Sequence, residues 1–143
     1  QELSKMTPTV TTVSSNTVDS KDITGSTDTI DQIDRVLMPY SILSLSSSYD
    51  HNCIVLYSNI LLKNILKCFG RNSLGQLGLG DILNRGDGPN EMGDQLPTVD
   101  LGKGRTALAI TTGDYHTCAL LDNDQLKCWG NNFSGQLGLG LWG

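Results

Sequence analysis

The chain has 143 residues, a formal net charge of −5 and a sequence pI of about 4.7. This length allows one domain, or one domain with a tail. The acidic balance argues against nucleic-acid binding, which needs clustered Lys and Arg side chains, and it does not suit an anionic membrane surface. No apolar run approaches the length of a membrane-spanning helix.

The first 35 residues form a polar leader. Ser and Thr supply 13 of the first 30 residues, and of the 16 glycines only Gly25 precedes Gly70. Single Val and Ile residues occur without a sustained period, so little apolar surface is available to offset the entropy of ordering. We therefore expect residues 1–35 to be disordered, as a flexible tail or, less simply, as a stalk that carries O-linked sugars.

Short strands begin after the leader. Ile42–Leu45 and Asn52–Leu56 read as consecutive strands around a turn at residues 46–50. Ile54, Val55 and Leu56 form a continuous apolar run, which is typical of a strand that is covered on both faces.

The hairpin between Cys53 and Cys68 is five residues longer than the later one between Cys118 and Cys128, and the extra residues lie within Tyr57–Ile65. If Cys53 faces Cys68, the loop centre falls between Ile60 and Leu61, which are poor turn formers. The sequence leaves three interpretations open. Either the strands lengthen beyond the rest of their sheet, or the stretch packs on a missing neighbour, or the sequence itself contains an error.

The stretch Leu66–Gly80, LKCFGRNSLGQLGLG, returns as Leu126–Gly140, LKCWGNNFSGQLGLG, with 11 of 15 positions identical. His51-Asn-Cys and His116-Thr-Cys precede the two copies at matching places. Such self-similarity implies stacked or radial structural repeats. We assign residues 36–102 to a first, divergent repeat and residues 103–143 to a second, truncated one.

Between the copies, residues 81–99 are dense in Gly, Pro, Asn and Asp and are predicted to form loops and turns. Leu96-Pro-Thr-Val99 is expected to supply an outer edge strand, where proline is tolerated. In the second repeat, Ala107–Thr111 and His116–Leu121 are the matching strands. Asp122–Asp124 closes the next hairpin as a three-residue loop, with Asp124 left-handed and Cys118 opposite Cys128.

HTCALLDNDQLKCWGNNFSGQLGLG, His116–Gly140, resembles the repeat of the regulator of chromosome condensation family, in a cysteine-containing form. The resemblance spans residues 42–80 and 108–140. It implies an all-β fold of four-stranded antiparallel blades from a seven-bladed β-propeller. Ser46–Ser48 depart from the small, often glycine, residues of the family pattern. The chain would hold about one and a half to two repeats, which is an incomplete propeller, and we expect it to be a fragment of a larger propeller.

The four cysteines occupy equivalent places on neighbouring strands of the two repeats. Directly opposed antiparallel positions bring Cα atoms within disulfide range. We favour one disulfide in each repeat, which would indicate an oxidising, secreted or extracellular setting. Buried free thiols and metal ligation are the alternatives. The four are Cys53, Cys68, Cys118 and Cys128.

Other recurring residues are interpreted as structural. His51 and His116 occur once in each repeat and are expected to pack within a blade and hydrogen-bond the backbone. The aromatic and turn residues of the repeats complete this set: Gly70, Gly75, Gln76, Gly78, Gly80, Trp129, Gly130, Gly135, Gln136, Gly138 and Gly140.

Three further patterns carry little information. The loop carboxylates Asp81, Asp87, Glu91 and Asp94 could ligate Ca²⁺, but they lack an EF-hand order, so a solvated acidic loop is preferred. We attribute the Arg-Gly-Asp tripeptide at 85–87 to chance. Asn132-Phe-Ser134 fits the N-glycosylation pattern, although the repeat motif explains it equally well.

No catalytic, cofactor-binding or metal-binding constellation stands out. The resemblance therefore implies a non-catalytic module that binds an unidentified protein ligand, self-associates or stacks on further blades. The alternative is a guanine-nucleotide exchange regulator of a small GTPase, or a part of an intracellular signalling or ubiquitin-ligase protein. No residue of this chain can be matched to the exchange activity of the family's founding member.

Overall fold

A computed structural model describes residues 39–140. Within that range the regular structure is β-sheet plus one short 3₁₀ turn at Gly93–Gln95. No helix in residues 39–140 is long and apolar enough to cross a membrane. The strands are β1 (Tyr40–Ser47), β2 (His51–Ser58), β3 (Lys63–Gly70), β4 (Ala107–Thr112), β5 (His116–Leu121) and β6 (Leu126–Gly130).

The six strands form two antiparallel three-stranded sheets with the same topology. The strand orders are β1-β2-β3 and β4-β5-β6. Each first pair has a register irregularity at the matching place, between Ile42 and Ser44 in one sheet and between Ala107 and Ala109 in the other. The all-β, partial-propeller architecture expected from the repeats is confirmed.

The main core lies between the two sheets. On β2, Cys53 and Val55 point towards the second sheet, while Ile54 and Leu56 belong to a smaller cluster on the opposite face. Both faces of β2 are therefore covered, which explains its unbroken apolar run. The main core comprises Cys53, Val55, Leu66, Cys68, Leu77, Val99, Leu101, Ala107, Ile110, Ala119 and Leu121.

The extra residues of the first hairpin lengthen its strands. β2 and β3 remain paired from His51 opposite Gly70 to Ser58 opposite Lys63. Residues 59–62 form the turn, which places Leu62 at a positive φ of 53°. Of the three interpretations that the sequence leaves open, the structure agrees with the lengthening of the strands.

The second hairpin has the predicted short loop. Leu121 N–H donates to Gln125 O at 2.8 Å, and Asp124 adopts a φ of 62°. Asp tolerates this left-handed conformation better than most residues other than glycine.

The expectation of four-stranded blades is wrong for the described residues, because each sheet has three strands. Leu96–Val99 is not a strand. Val99 N–H donates one backbone hydrogen bond to Leu66 O at 2.8 Å, and Pro97 has no N–H to extend the ladder. Leu96 and Val99 are nevertheless buried, so this segment covers the edge of β3 with side chains. The predicted leader, residues 1–35, lies outside the described residues.

Candidate functional site

The junction between the two sheets is the most constrained part of the molecule. Within each repeat the cysteines are joined, Cys53 to Cys68 and Cys118 to Cys128, and the Cα atoms are 4.1 Å apart in both pairs. The first disulfide is 0% exposed because the second sheet covers it. These are the within-repeat pairs that the hairpin register predicts.

A chain of hydrogen bonds links the repeats through His51. The His51 ring lies 2.8 Å from Ser48 Oγ through Nδ1 and 2.9 Å from Thr117 Oγ1 through Nε2. Thr117 donates its only hydroxyl proton to Gln76 O at 2.8 Å. Because that proton is used, Nε2–H of His51 must donate to Thr117. The junction therefore requires a proton on Nε2. Ser48 Oγ, which lies beside Nδ1, also donates to His51 O at 3.1 Å.

The electrostatic surroundings agree with a neutral ring. Burial lowers the pKa of His51, and the Asp50 carboxylate, 3.7 Å from Nδ1, raises it in opposition. The burial effect is the larger, and a charge on His116 would lower the pKa further. A neutral buried imidazole with both nitrogens bonded is a structural element rather than a proton carrier.

The backbone of the first Gly-Gln-Leu-Gly turn receives a second side chain from the next repeat. Trp129 Nε1–H donates to Gln76 O at 3.0 Å. A Cβ atom on Gly78 would lie 2.6 Å from that indole nitrogen, so only glycine admits the ring. Gly130 is similarly restricted, since a Cβ there would lie 2.6 Å from Tyr115 O at a φ of 103°. The Gly-Gln-Leu-Gly turn of the first repeat thus forms the surface on which Trp129 of the second repeat packs.

The same turn is built in both repeats by side-chain amides. Asn72 Oδ1 accepts from Leu77 N–H at 2.9 Å, and Asn132 Oδ1 accepts from Leu137 N–H at 3.0 Å. The glutamines repeat each other as well. Gln76 Oε1 accepts from Leu74 N–H and Gln136 Oε1 accepts from Ser134 N–H, both at 2.9 Å. Asn132, the candidate glycosylation residue, thus holds its turn as Asn72 does.

The second repeat leaves its corresponding surface uncovered in the described part of the chain. Leu66 is 1% exposed, whereas its counterpart Leu126 is 68% exposed. Cys118 and Cys128 are half-buried, although their counterparts are fully buried. Leu120 is also exposed. The difference arises because β4 and its neighbours cover the first sheet but no described strand covers the second.

Carboxylates of the acidic loop at residues 81–94 accept hydrogen bonds within the loop and do not form a metal site. Glu91 Oε2 accepts hydrogen bonds from Gly86, Asp87 and Gly88 N–H at 2.8, 3.1 and 2.9 Å. No group of three or more His, Cys, Asp or Glu side chains within residues 39–140 is arranged to hold a metal ion. Three of the four candidate Ca²⁺ ligands, Asp81, Asp87 and Glu91, therefore accept hydrogen bonds within the loop and do not surround a common centre.

The Arg-Gly-Asp tripeptide has its arginine engaged internally. Arg85 donates to Asp81 Oδ2 at 2.6 Å and to Leu83 O at 2.7 Å. The hydrogen bonds from Arg85 lower the pKa of the Asp81 carboxyl. A guanidinium held in this way is not presented to a receptor.

Two features of the junction differ from the sequence expectation. His51 hydrogen-bonds two hydroxyl groups through its ring, not the backbone, because Ser48 and Thr117 lie at its two nitrogens. Thr117 was not singled out by the sequence at all. Its only signal is its position directly after His116 in the second repeat, where the first repeat has Asn52.

Comparisons with known proteins agree with the repeat. Two family models, each described as "Regulator of chromosome condensation (RCC1) repeat", match residues 68–120 and 108–136. The bifunctional serine/threonine-protein kinase/NEDD4-like E3 ubiquitin-protein ligase of Dictyostelium discoideum is 27% identical over 106 residues, 73% of this chain and 5% of that protein. The Protein RCC2 homolog of Xenopus laevis is 38% identical over 81 residues, 57% of this chain and 14% of that protein.

Among solved structures, human WBSCR16 aligns with a TM-score of 0.48 and 18% identity, over 68% of this chain and 23% of that chain. Yeast RCC1, solved with Kap60 bound, aligns with a TM-score of 0.45 and 21% identity, over 66% of this chain and 18% of that chain. The chain thus spans less than a quarter of the length of each of these four proteins.

Proposed function

Because the chain belongs to the regulator of chromosome condensation (RCC1) repeat family, we propose that it is a non-catalytic protein-interaction module. Its buried polar groups support this role. Hydrogen bonds among His51, Thr117 and Gln76 join the two repeats, and all four cysteines are paired in disulfides. The polar side chains and cysteines at the junction thus hold the two repeats together, and the loops and hairpin tips are the parts that can contact a partner.

The observation that carries the proposal is the tip of the first hairpin. Ile60, Leu61 and Leu62 are 73%, 58% and 73% exposed at the end of strands that extend beyond those of the second repeat. The corresponding turn of the second repeat is acidic, Asp122–Asp124. Large apolar side chains exposed in a contiguous group mark protein interaction sites.

The form of the tip indicates the kind of partner. It is a rigid hairpin turn, since Leu61 N–H is held by Ser58 Oγ at 3.0 Å and Asn59 N–H by Pro39 O at 3.0 Å. Three adjacent apolar side chains on such a turn fit an apolar groove of a partner protein, and they carry little ordering cost on binding.

The test compares the tip with an equally apolar site elsewhere. Cross-linking of the intact chain in extracts of its own cells identifies a partner, which is then purified. Replacing Ile60, Leu61 and Leu62 with serine should weaken binding of that purified partner by about tenfold or more, because apolar anchors dominate interface energies. Replacing Ile82 and Leu83, which are also exposed, with serine is the matched control. Equal losses in both variants would refute the role of the tip.

A second function is favoured by one relative. The Dictyostelium protein that matches 73% of this chain is a kinase and ubiquitin-protein ligase. On this ground the chain is the repeat region of a signalling or ligase protein. The resemblance to the repeat family separately raises an exchange regulator of a small GTPase. Sequencing the complete reading frame tests the first version, and a nucleotide-release assay with purified small GTPases tests the second.

A further inference from the structure

We propose that the bond between Asp87 and Gly88 is a site of isoaspartate formation, and that Glu91 suppresses this modification in the folded chain. The dipeptide Asp-Gly occurs once in the sequence, and Asn-Gly does not occur. Asp87 is exposed, so solvent water reaches it. This loop is separate from the hairpin tip, and the inference does not rest on the proposed function.

The reaction is an internal condensation followed by hydrolysis. The backbone nitrogen of Gly88 attacks Cγ of the protonated Asp87 carboxyl, a C–N bond forms, and the nitrogen proton leaves with the carboxyl OH as water. The product is a cyclic succinimide. Addition of water at the former backbone carbonyl of Asp87 breaks the original peptide bond and leaves the chain linked through Cγ, which is isoaspartate. Addition of water at Cγ restores aspartate, and neither route consumes an oxidant or another reagent.

The glycine favours the first step. Because Gly88 has no Cβ, no side chain hinders the approach of its nitrogen to the preceding carboxyl, and its backbone turns readily. In an unfolded chain this bond is therefore the one most open to the reaction.

Hydrogen bonds of the folded loop hold both reacting groups. Gly88 N–H donates to Glu91 Oε2 at 2.9 Å, and the same oxygen accepts from Gly86 and Asp87 N–H at 2.8 and 3.1 Å. Asp87 Oδ2 accepts from Asn84 Nδ2 at 2.9 Å. The attack requires the Gly88 nitrogen to turn from Glu91 towards Asp87 Cγ. Hydrogen bonds to a charged carboxylate are strong, so they oppose this rotation.

The loop is also anchored on both sides of the reacting bond. Gly70 N–H donates to Arg85 O at 2.7 Å, and Arg85 N–H donates to Gly70 O at 3.0 Å, at the end of β3. On the other side, Lys67 Nζ donates to Gly93 O at 2.8 Å. The reaction therefore requires a local opening of residues 86–91 between two fixed ends.

The contact that protects the bond itself requires glycine at position 88. A Cβ atom there would lie 3.0 Å from Glu91 Oε1 and 3.1 Å from Glu91 Cδ. A side chain would thus push the carboxylate away from the three N–H groups. The residue that makes the bond labile is therefore also the residue that admits the protecting carboxylate.

The modification would change the loop. Isoaspartate adds one carbon atom to the backbone between the N–H groups of Asp87 and Gly88. The three N–H groups then no longer meet Glu91 Oε2 in their present arrangement, so the loop loses the contacts that close it.

The test follows isoaspartate at residue 87 in the intact, disulfide-bonded chain at mildly acidic pH. Glu91→Ala should raise its rate of formation on the order of tenfold, because loss of the charged acceptor increases the population of the open loop. Asp94→Ala, which removes an exposed carboxylate of the same loop, is the matched control and should react as the native chain does. Peptide mapping separates the two isomers, and labelling by a protein isoaspartyl methyltransferase identifies the isoaspartate.

A second comparison does not depend on how well the variant folds. The native chain unfolded in urea should form isoaspartate faster than the folded chain, on the order of tenfold or more. Amide hydrogen exchange should show that Glu91→Ala loses protection at residues 86–88 and keeps it in β2 and β3. If the strands also lose protection, the variant is unfolded and the urea comparison decides. Equal rates in the folded and unfolded chains would overturn the proposal, as would a folded Glu91→Ala chain that reacts no faster than Asp94→Ala.

Discussion

The two repeats share a motif, a register and a disulfide, yet they differ in what covers them. Leu66 and Cys68 are buried, whereas Leu126 and Cys128 at the equivalent positions are exposed or half-buried. The local sequence is nearly the same, so the difference in burial is set by the neighbouring blade. A repeat module therefore gains much of its stability from the next module rather than from its own residues.

The largest expected effect is the difference in stability between alanine substitutions of Leu66 and of its equivalent Leu126. Leu66→Ala should lower the free energy of unfolding by about 2–5 kcal/mol, because it leaves a cavity in the main core. Leu126→Ala should change it by about 0.5 kcal/mol or less, since the side chain is exposed. Urea unfolding at low protein concentration, followed by tryptophan fluorescence, measures both. Similar losses would show that the second repeat is covered in the free chain.

The hydroxyl at the junction is expected to have the next largest effect. Thr117→Val keeps the shape but removes the acceptor for His51 Nε2–H and the donor to Gln76 O. His51 Nε2–H is then left without an acceptor, while Gln76 O keeps the hydrogen bond from Trp129 Nε1–H. Leaving the buried imidazole N–H unpaired should cost about 1–3 kcal/mol. Thr98→Val, at an exposed position, is the control in the same urea measurement. A Thr117 variant as stable as the control would mean that the hydrogen bonds from His51 through Thr117 to Gln76 do not hold the repeats together.

The two disulfides should differ in how fast a reductant cleaves them. Cys53–Cys68 is fully buried and Cys118–Cys128 is half-buried. Because thiol exchange depends on access, the second pair should be reduced faster by roughly tenfold or more. Alkylation of the native chain after brief treatment with a reductant, followed by peptide mapping, gives the order. Faster loss of the first pair would contradict the coverage of the first sheet by the second.

Some of this architecture could be predicted from the sequence, and the reason is repetition. The pairing of Cys118 with Cys128 follows from a short hairpin loop, and the same positions recur in the first repeat at Cys53 and Cys68. The structure then shows that the longer first hairpin keeps this register by extending both strands.

Contacts between repeats could not be predicted in the same way. His51 and Thr117 are 66 residues apart, and Thr117 and Gln76 are 41 apart, so no local pattern joins them. Comparison of the repeats even obscures these hydrogen bonds, because the first repeat has Asn52 at the position equivalent to Thr117. The strand prediction for Leu96–Val99 failed for a different reason. Leu96 and Val99 are buried as in a strand, but the segment makes one backbone hydrogen bond to β3.

The smallest effect is expected from pH, and it acts on the covered histidine. The unfolded chain binds a proton on His51 near its ordinary pKa of 6.5, whereas burial lowers the pKa in the folded state. The unfolded state therefore holds more protons as the pH falls below 6.5, and linkage makes the folded state progressively less stable. His51 contributes its full stability above pH 6.5 and loses it as the pH falls through the lower folded pKa. Urea unfolding between pH 7 and pH 5 should show this slope in the native chain and a weaker slope in His51→Gln, whose amide can still donate to Thr117. The same slope in both chains would assign the pH dependence to other groups and remove His51 from the account.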